Sequence, residues 1–253
     1  MMQRAKSLVM PLAILMYWQL IASSGLVSSY LLPAPETVWT AAKSLYASGI
    51  LSHSILVSLS RVFQGFGISC VLAFALALLV NGSRTVEQLL SAPLALLRMI
   101  PPLAMTPLLI LWFGIGSTTQ LAIIILASIF PVFLNTRDGL RRVDPSHQEL
   151  ARSLQLGRLR YFRWIVLPGA VPSIITGVRV GFGYSWRALI GAELIAASAG
   201  LGYLIIDSQE MMRTDDVMVG ILTIGMIGWL LDTLFDQLLC RKLSRRFPEI
   251  CRS

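Results

Sequence analysis

Six stretches of this chain carry few or no charges: Leu8 to Val27, Val62 to Val80, Met99 to Gly114, Thr118 to Leu134, Ser173 to Ala197 and Val217 to Leu239. Each, with its flanks, is long enough at about 1.5 Å per residue to cross roughly 30 Å of hydrocarbon. Blocks of this length exceed what the core helices and strands of a soluble domain need, and 55% hydrophobic against 13% charged residues in a 253-residue chain agrees. The blocks predict an all-α integral membrane protein with about six transmembrane helices, read as a single domain over residues 1–253. Pro101, Pro102 and Pro107 interrupt the third block and Arg98 stands at its entrance, yet Leu108 to Phe113 is continuous and counts as part of a span. The first block follows Arg4 and Lys6, so a cleaved leader is its competing reading; Ala22-Ser23-Ser24 is a poor cleavage site, which favours a span.

Orientation follows from basic residues, which accumulate on the cytoplasmic side. With both termini inside, the cytoplasmic segments contain Arg4, Lys6, Arg84, Arg137, Arg141, Arg142, Arg152, Arg158, Arg160, Arg163, Arg241, Lys242, Arg245, Arg246 and Arg252. The outside or outer edge holds only Lys43, Arg61 and Arg213. The net charge of +8 is thus accounted for by topology, and no nucleic-acid partner is needed to explain it.

Catalytic material is sparse. The two histidines, His53 and His147, fall on opposite sides in this topology, so a histidine metal site or triad is not expected. Cys70, Cys240 and Cys251 lie in a span, at a span end and in the tail, where disulfides are not expected. No Gly-x-x-x-x-Gly-Lys phosphate loop occurs, so the chain does not hydrolyse ATP by that route. Gly65-Phe66-Gly67 and Gly181-Phe182-Gly183, and Gly177 with Gly181, read as close-packing positions in apolar helices rather than as a dinucleotide fingerprint.

The most informative polar segment joins the fourth and fifth blocks. Asp144 followed by Pro145 is a helix start, and Gly157 is a natural stop. Leu150, Ala151 and Leu154 form one apolar stripe, with Glu149, Arg152 and Gln155 around it. Such a helix either rests on anionic lipid or docks into a groove of a soluble partner.

Charges inside the membrane are costly and mark candidate functional positions. On the fifth block, Arg179 and Glu193 fall about 40° apart in projection and Arg187 about 80° from Arg179, which places them on one side of the helix. They read either as a cationic path for an anion or as a packing ion pair between Glu193 and an arginine. Arg98 beside Pro101-Pro102 predicts a span broken as it enters the bilayer, lining a cavity or else simply kinked against a neighbour. Asp232 and Asp236, one turn apart, are expected to pair with Arg241 or other tail cations.

Glu149-Leu150-Ala151, with Leu167-Pro168 following, resembles the E-A-A signature of binding-protein-dependent ABC importer permeases. Arg98-Met99-Ile100-Pro101-Pro102-Leu103-Ala104, Trp112-Phe113-Gly114-Ile115-Gly116, Gly177-Val178-Arg179, Ala192-Glu193, Gly200-Leu201-Gly202-Tyr203 and Arg213-Thr214-Asp215 resemble the branch that imports nitrate, sulfonates and taurine. The resemblance implies a type I importer permease arrangement in the bacterial inner membrane. It further implies a permease homodimer, two ATPase subunits that bind ATP and Mg, and a periplasmic or surface solute-binding protein. It makes the loop at about residues 135–170 the site of the coupling helix, with Glu149, Leu150, Ala151, Leu154 and Gly157 facing the ATPase. Arg98, Pro101, Pro102, Arg179, Arg187 and Glu193 are the pathway candidates. The chain departs from the family pattern at Leu150, in place of alanine, and at Gln155, in place of glycine; Gly157 lies two residues later, which predicts a helix about half a turn longer. A self-sufficient secondary transporter is the alternative, but no convincing internal repeat supports it. A membrane-embedded enzyme would need a convergent catalytic set, and the sequence shows none.

Overall fold

The computed structural model describes residues 2–25, 27–142, 149, 151 and 153–243. Its elements are α1 (Met2–Ser23), α2 (Pro35–Ala47), α3 (Ile50–Gly82), α4 (Arg84–Leu97), a 3-10 turn (Pro102–Met105), α5 (Thr106–Phe113), α6 (Ser117–Arg141), α7 (Arg158–Tyr161), a π-helical turn (Phe162–Val166), α8 (Leu167–Ala196), α9 (Leu201–Glu210) and α10 (Thr214–Leu243). Among the described residues, four apolar helical segments are long enough to cross a membrane: Ile50–Gly82, Ser117–Arg141, Arg158–Glu210 and Thr214–Phe235. The pair Arg84–Leu97 and Pro102–Phe113 makes a fifth if taken together, bent by 84° at the break. The first sequence block coincides with α1, whose apolar stretch Ala13–Ser23 is shorter. Among the described residues, α2, α4 and α9 are helices not expected from the sequence. The third block is corrected as well: it is not a span beginning at Met99 but the second arm of a bent pair that starts at Arg84.

The chain divides into two compact units, one of Met1–Ser58 with Ser198–Met226 and one of Leu59–Ala197 with Ile227–Ser253. In the first, α2 begins at Pro35, where a missing N–H costs nothing, and has Glu36 in its first turn against the positive end of the helix dipole. It buries Val38, Ala41 and Leu45, one stripe at helical spacing. Gly49, at φ 79°, turns the chain from α2 into α3. The N-terminus of α9 is held from α3: the Leu201 N–H donates to Ser58 Oγ at 2.9 Å, in a buried position where an unmatched N–H would be costly.

In the second unit α6 packs extensively against α8, and glycines set the closeness of that pairing. A Cβ placed on Gly139 would lie 2.7 Å from Ser173 Cβ, on Gly177 2.7 Å from Asn135 Cβ, and on Gly181 2.6 Å from Val132 Cγ2. The expected small-xxx-small contact of Gly177 and Gly181 is therefore present. Gly65 also packs tightly, its Cβ position 2.8 Å from Ile124 Cγ2, whereas a methyl on Gly67 or Gly183 would meet nothing within 4 Å, so half of each glycine pair is a packing site and half is not. Phe182 stacks edge-on to Phe66 at 5.3 Å and lies 4.7 Å from Phe235, tying α8 to α3 and α10. Leu109, Ile123, Ala127, Ala188 and Ala192 fill the space between α5, α6 and α8.

Candidate translocation pathway and coupling surface

The break between α4 and α5 is built by its own sequence. Ser83 opens α4 by accepting from the Val86 N–H at 3.4 Å, and Arg98 closes it. Pro101 and Pro102 then offer no N–H to continue the helix, and the chain resumes only when the Ala104 N–H donates to the Pro101 carbonyl at 3.0 Å. The predicted break at Arg98, Pro101 and Pro102 is present. Arg98 and Pro101 are exposed and Pro102 is partly so. Arg98 lines a cavity of about 240 Å³ together with Glu87, Arg137 and apolar residues of α3, α4 and α6.

The three charges of α8 do not act as one set. Glu193 is buried and bonded by Arg61 of α3, Nη1 to Oε1 at 2.9 Å. Arg61, expected at the outer edge of the membrane, is instead the cation that neutralises it, with 12% of its side chain exposed. The ion-pair alternative thus holds for Glu193, with a partner from another helix. Arg179 reaches Asp232 of α10, with Nη2 to Oδ2 at 3.3 Å and Nε to Oδ1 at 3.4 Å. Asp232 is therefore paired with Arg179, a partner the sequence did not single out; the Asp236 side chain and the tail cations with which pairing was expected lie outside the described residues. Arg187 is exposed, and among the described residues no carboxylate pairs with it. Close to the Glu193 pair, Gln120 is fully buried and donates from Nε2 to the Ala196 carbonyl at 2.8 Å, which joins α6 to the end of α8.

On the coupling segment, Asp144, Pro145, Leu150 and Arg152 lie outside the described residues. Glu149, Ala151 and Ser153 are helical; Ala151 is buried and Leu154 is exposed. The predicted stop at Gly157 is corrected. The residue in the left-handed region is Gln155, at φ 48°, and the Leu156 N–H donates back to the Ala151 carbonyl at 3.0 Å. That six-to-one bond is the Schellman ending, with Gln155 in the position glycine usually takes. Gly157 is extended, at φ −62° and ψ 152°, and its carbonyl starts α7 by accepting from the Tyr161 N–H. The helix ends two residues earlier than expected.

Long apolar helices, a proline-broken bent pair and a short helix in the loop before α8 define a multi-pass membrane protein. The family described as binding-protein-dependent transport system inner membrane component matches residues 65–246, and the chain belongs to it. The chain is 41% identical to the putative aliphatic sulfonates transport permease protein SsuC of Escherichia coli (strain K12) over 94% of its own length and 90% of that protein. It is 34% identical to the taurine transport system permease protein TauC of the same organism, over 92% and 85% of the two chains. Its fold matches a chain in the crystal structure of an amino acid ABC transporter with histidines, at a TM-score of 0.65 and 21% identity, covering 80% of this chain and 97% of that one. The protein is the membrane-spanning permease subunit of an ABC importer, with the type I fold.

Proposed function

We propose that this subunit forms the translocation pathway for a small anionic solute such as a sulfonate, taurine or nitrate. In this reading it is one transmembrane permease domain that works as a homodimer with two ATPase subunits, which bind ATP and Mg, and with a periplasmic or surface solute-binding protein. The names of the similar permeases support sulfonate and taurine as the solute class. The observation that carries the anion reading is Arg187, an exposed cation in the middle of an apolar helix with no carboxylate partner among the described residues. Away from bulk water an unpaired guanidinium attracts an anion more strongly than it would at a screened surface. Arg98, Pro101 and Pro102 contribute through the broken span, and Arg179 and Glu193 hold the pathway helix in register. Glu149, Leu150, Ala151, Leu154 and Gly157 belong to the surface that receives the ATPase. A secondary transporter is disfavoured, because the family works with a binding protein.

The test is solute uptake into proteoliposomes holding the permease, its ATPase and the binding protein. Arg187→Ala is expected to assemble normally and lose uptake, and Arg187→Lys to retain part of it, since a lysine keeps charge without the planar fork. Normal uptake by an assembled Arg187→Ala complex would overturn the anion path. The positive-inside asymmetry supports a topology with both termini and the loop before α8 in the cytoplasm. A cysteine at Ser153 should then resist an impermeant reagent added outside intact cells; labelling from outside reverses the orientation.

A further inference from the structure

The segment that leads into α8 is packed on one side and basic on the other. From Leu150 to Ala192 the chain has no acidic residue, while Arg158, Arg160 and Arg163 fall close together. All three are exposed, and among the described residues no carboxylate bonds any of them. Val166 and Ala170, one turn apart, are buried against the protein. Arg163 and Trp164 follow Arg160 by three and four residues, so these side chains share the opposite, outward face. Trp164 is 72% exposed and Leu159 80%, so apolar bodies are interleaved with the cations. The helix that follows, α8, has 30 residues and is about 45 Å long, the thickness of a bilayer with its headgroups. The segment just before it therefore stands at a headgroup surface, where tryptophan and arginine are both favoured.

We propose that Arg160, Arg163 and Trp164 form a binding site for one anionic phospholipid, with its phosphate held between the two guanidinium groups and the indole at the level of its glycerol. Guanidinium forks match phosphate oxygens two at a time, and a cation beside an anionic leaflet gains from the surface potential as well as from the contact. A zwitterionic phospholipid offers the same phosphate but carries its own ammonium, so two arginines without a carboxylate partner distinguish the two lipids. The exposed Trp164 and Leu159 favour a lipid over an acidic face of a protein subunit, because a bilayer receives apolar bodies and offers phosphates at one depth. The coupling segment ends at Gln155, five residues before Arg160, so a lipid held here fixes that end of the segment against the membrane. The site depends on α8 crossing the membrane and not on which solute is carried.

The experiment reads Trp164 fluorescence of the full-length permease in phosphatidylcholine nanodiscs. A minor share of the lipid is replaced by dibrominated phosphatidylglycerol or by dibrominated phosphatidylcholine, whose bromines quench nearby indoles. The chain has six tryptophans, so the Trp164 signal is taken as the difference from Trp164→Phe. Stronger quenching by the phosphatidylglycerol at equal mole fraction is expected. Arg160→Gln and Arg163→Gln should each lower that preference roughly five-fold, and the double variant further. Arg160→Lys with Arg163→Lys should keep part of it, because lysine retains the charge without the fork. Arg142→Gln, which removes an exposed arginine at the end of α6, should leave it unchanged. All these side chains are exposed, so the variants should melt like the parent. Equal quenching by the two lipids in the parent overturns the site. An equal effect of Arg142→Gln overturns it too, because the preference is then one of diffuse surface charge. An undiminished preference in the double glutamine variant has the same consequence, and if that variant also loses ATPase co-purification, the arginines face the ATPase instead.

Discussion

Replacing Gly177 and Gly183 by alanine, two positions on the same helix only six residues apart, should move stability in opposite directions. At Gly177 the added methyl would sit 2.7 Å from Asn135 Cβ and 3.3 Å from the carbonyl oxygens of Pro131 and Val132. Two of those three neighbours are backbone, so they cannot rotate away, and α8 must back off from α6 along their extensive pairing. Overpacking of this kind costs about 1–3 kcal/mol, against about 1 kcal/mol gained from the better helix propensity of alanine. The net expectation is a loss of up to about 2 kcal/mol. At Gly183 nothing lies within 4 Å of the new methyl, so only the propensity gain of up to about 1 kcal/mol remains. Thermal unfolding of the purified full-length variants in one detergent reads both, and for chains of roughly this size each kcal/mol moves the midpoint by about 2–4 °C. Gly177→Ala should melt below the parent and Gly183→Ala at or above it. Equal midpoints for the two variants, or a Gly177→Ala protein as stable as the parent, would refute close α6–α8 approach as the role of that glycine.

Arg61→Ala should be severely destabilising, by about 3–5 kcal/mol, because it strands the buried Glu193 carboxylate. The double variant Arg61→Met with Glu193→Leu should recover most of that loss, and a single variant that expresses and melts like the parent contradicts the buried pair. Gln155→Gly should stabilise the end of the coupling segment by about 1 kcal/mol, since it removes a side chain from the left-handed region; limited proteolysis between α6 and α7 is the readout, and faster cleavage than in the parent argues against the strain. Ala151→Pro should break the same helix at a cost of about 3 kcal/mol, leaving the protein in the membrane but abolishing ATPase co-purification and solute-stimulated hydrolysis. If that variant inserts and couples normally, the segment rests on lipid and coupling uses another surface.

Hydropathy alone located the cores of α3, α6, α8 and α10, because a sustained apolar run has few other destinations. It missed the first three turns of α3, where Ser52, His53, Ser54, Ser58 and Ser60 dilute the run although Ser54 and Ser58 are buried. It missed α2 and α9 because each is a short helix of mixed polarity, bounded by Gly49 or Gly200, and such lengths carry no membrane signal. The proline break was legible, since the missing donors of Pro101 and Pro102 are a local property of the chain. The position of the left-handed residue was not, because Gly157 is the better local candidate and the hydrogen bond from Leu156 to Ala151 decides otherwise.

Charge pairing was the least legible part of the site, and the reason bears on function. Helical projection places Arg179, Arg187 and Glu193 relative to one another on α8, yet their partners come from elsewhere: Glu193 is bonded from α3, 132 residues earlier, and Arg179 by Asp232 of α10. Burial then separates roles that sequence had to treat alike. A carboxylate with no exposed side chain must have a fixed counter-ion, so the Arg61–Glu193 pair is bound to the packed state of the protein and its loss is a folding defect first. Arg98 and Arg187 are exposed, and their guanidinium groups have no carboxylate to satisfy among the described residues. Changing either one strands no buried partner, so its effect falls on whatever anion approaches it rather than on stability. A transport or binding defect without a fall in melting temperature is therefore the signature expected of Arg98 and Arg187, and the two effects should appear together at Arg61 and Glu193.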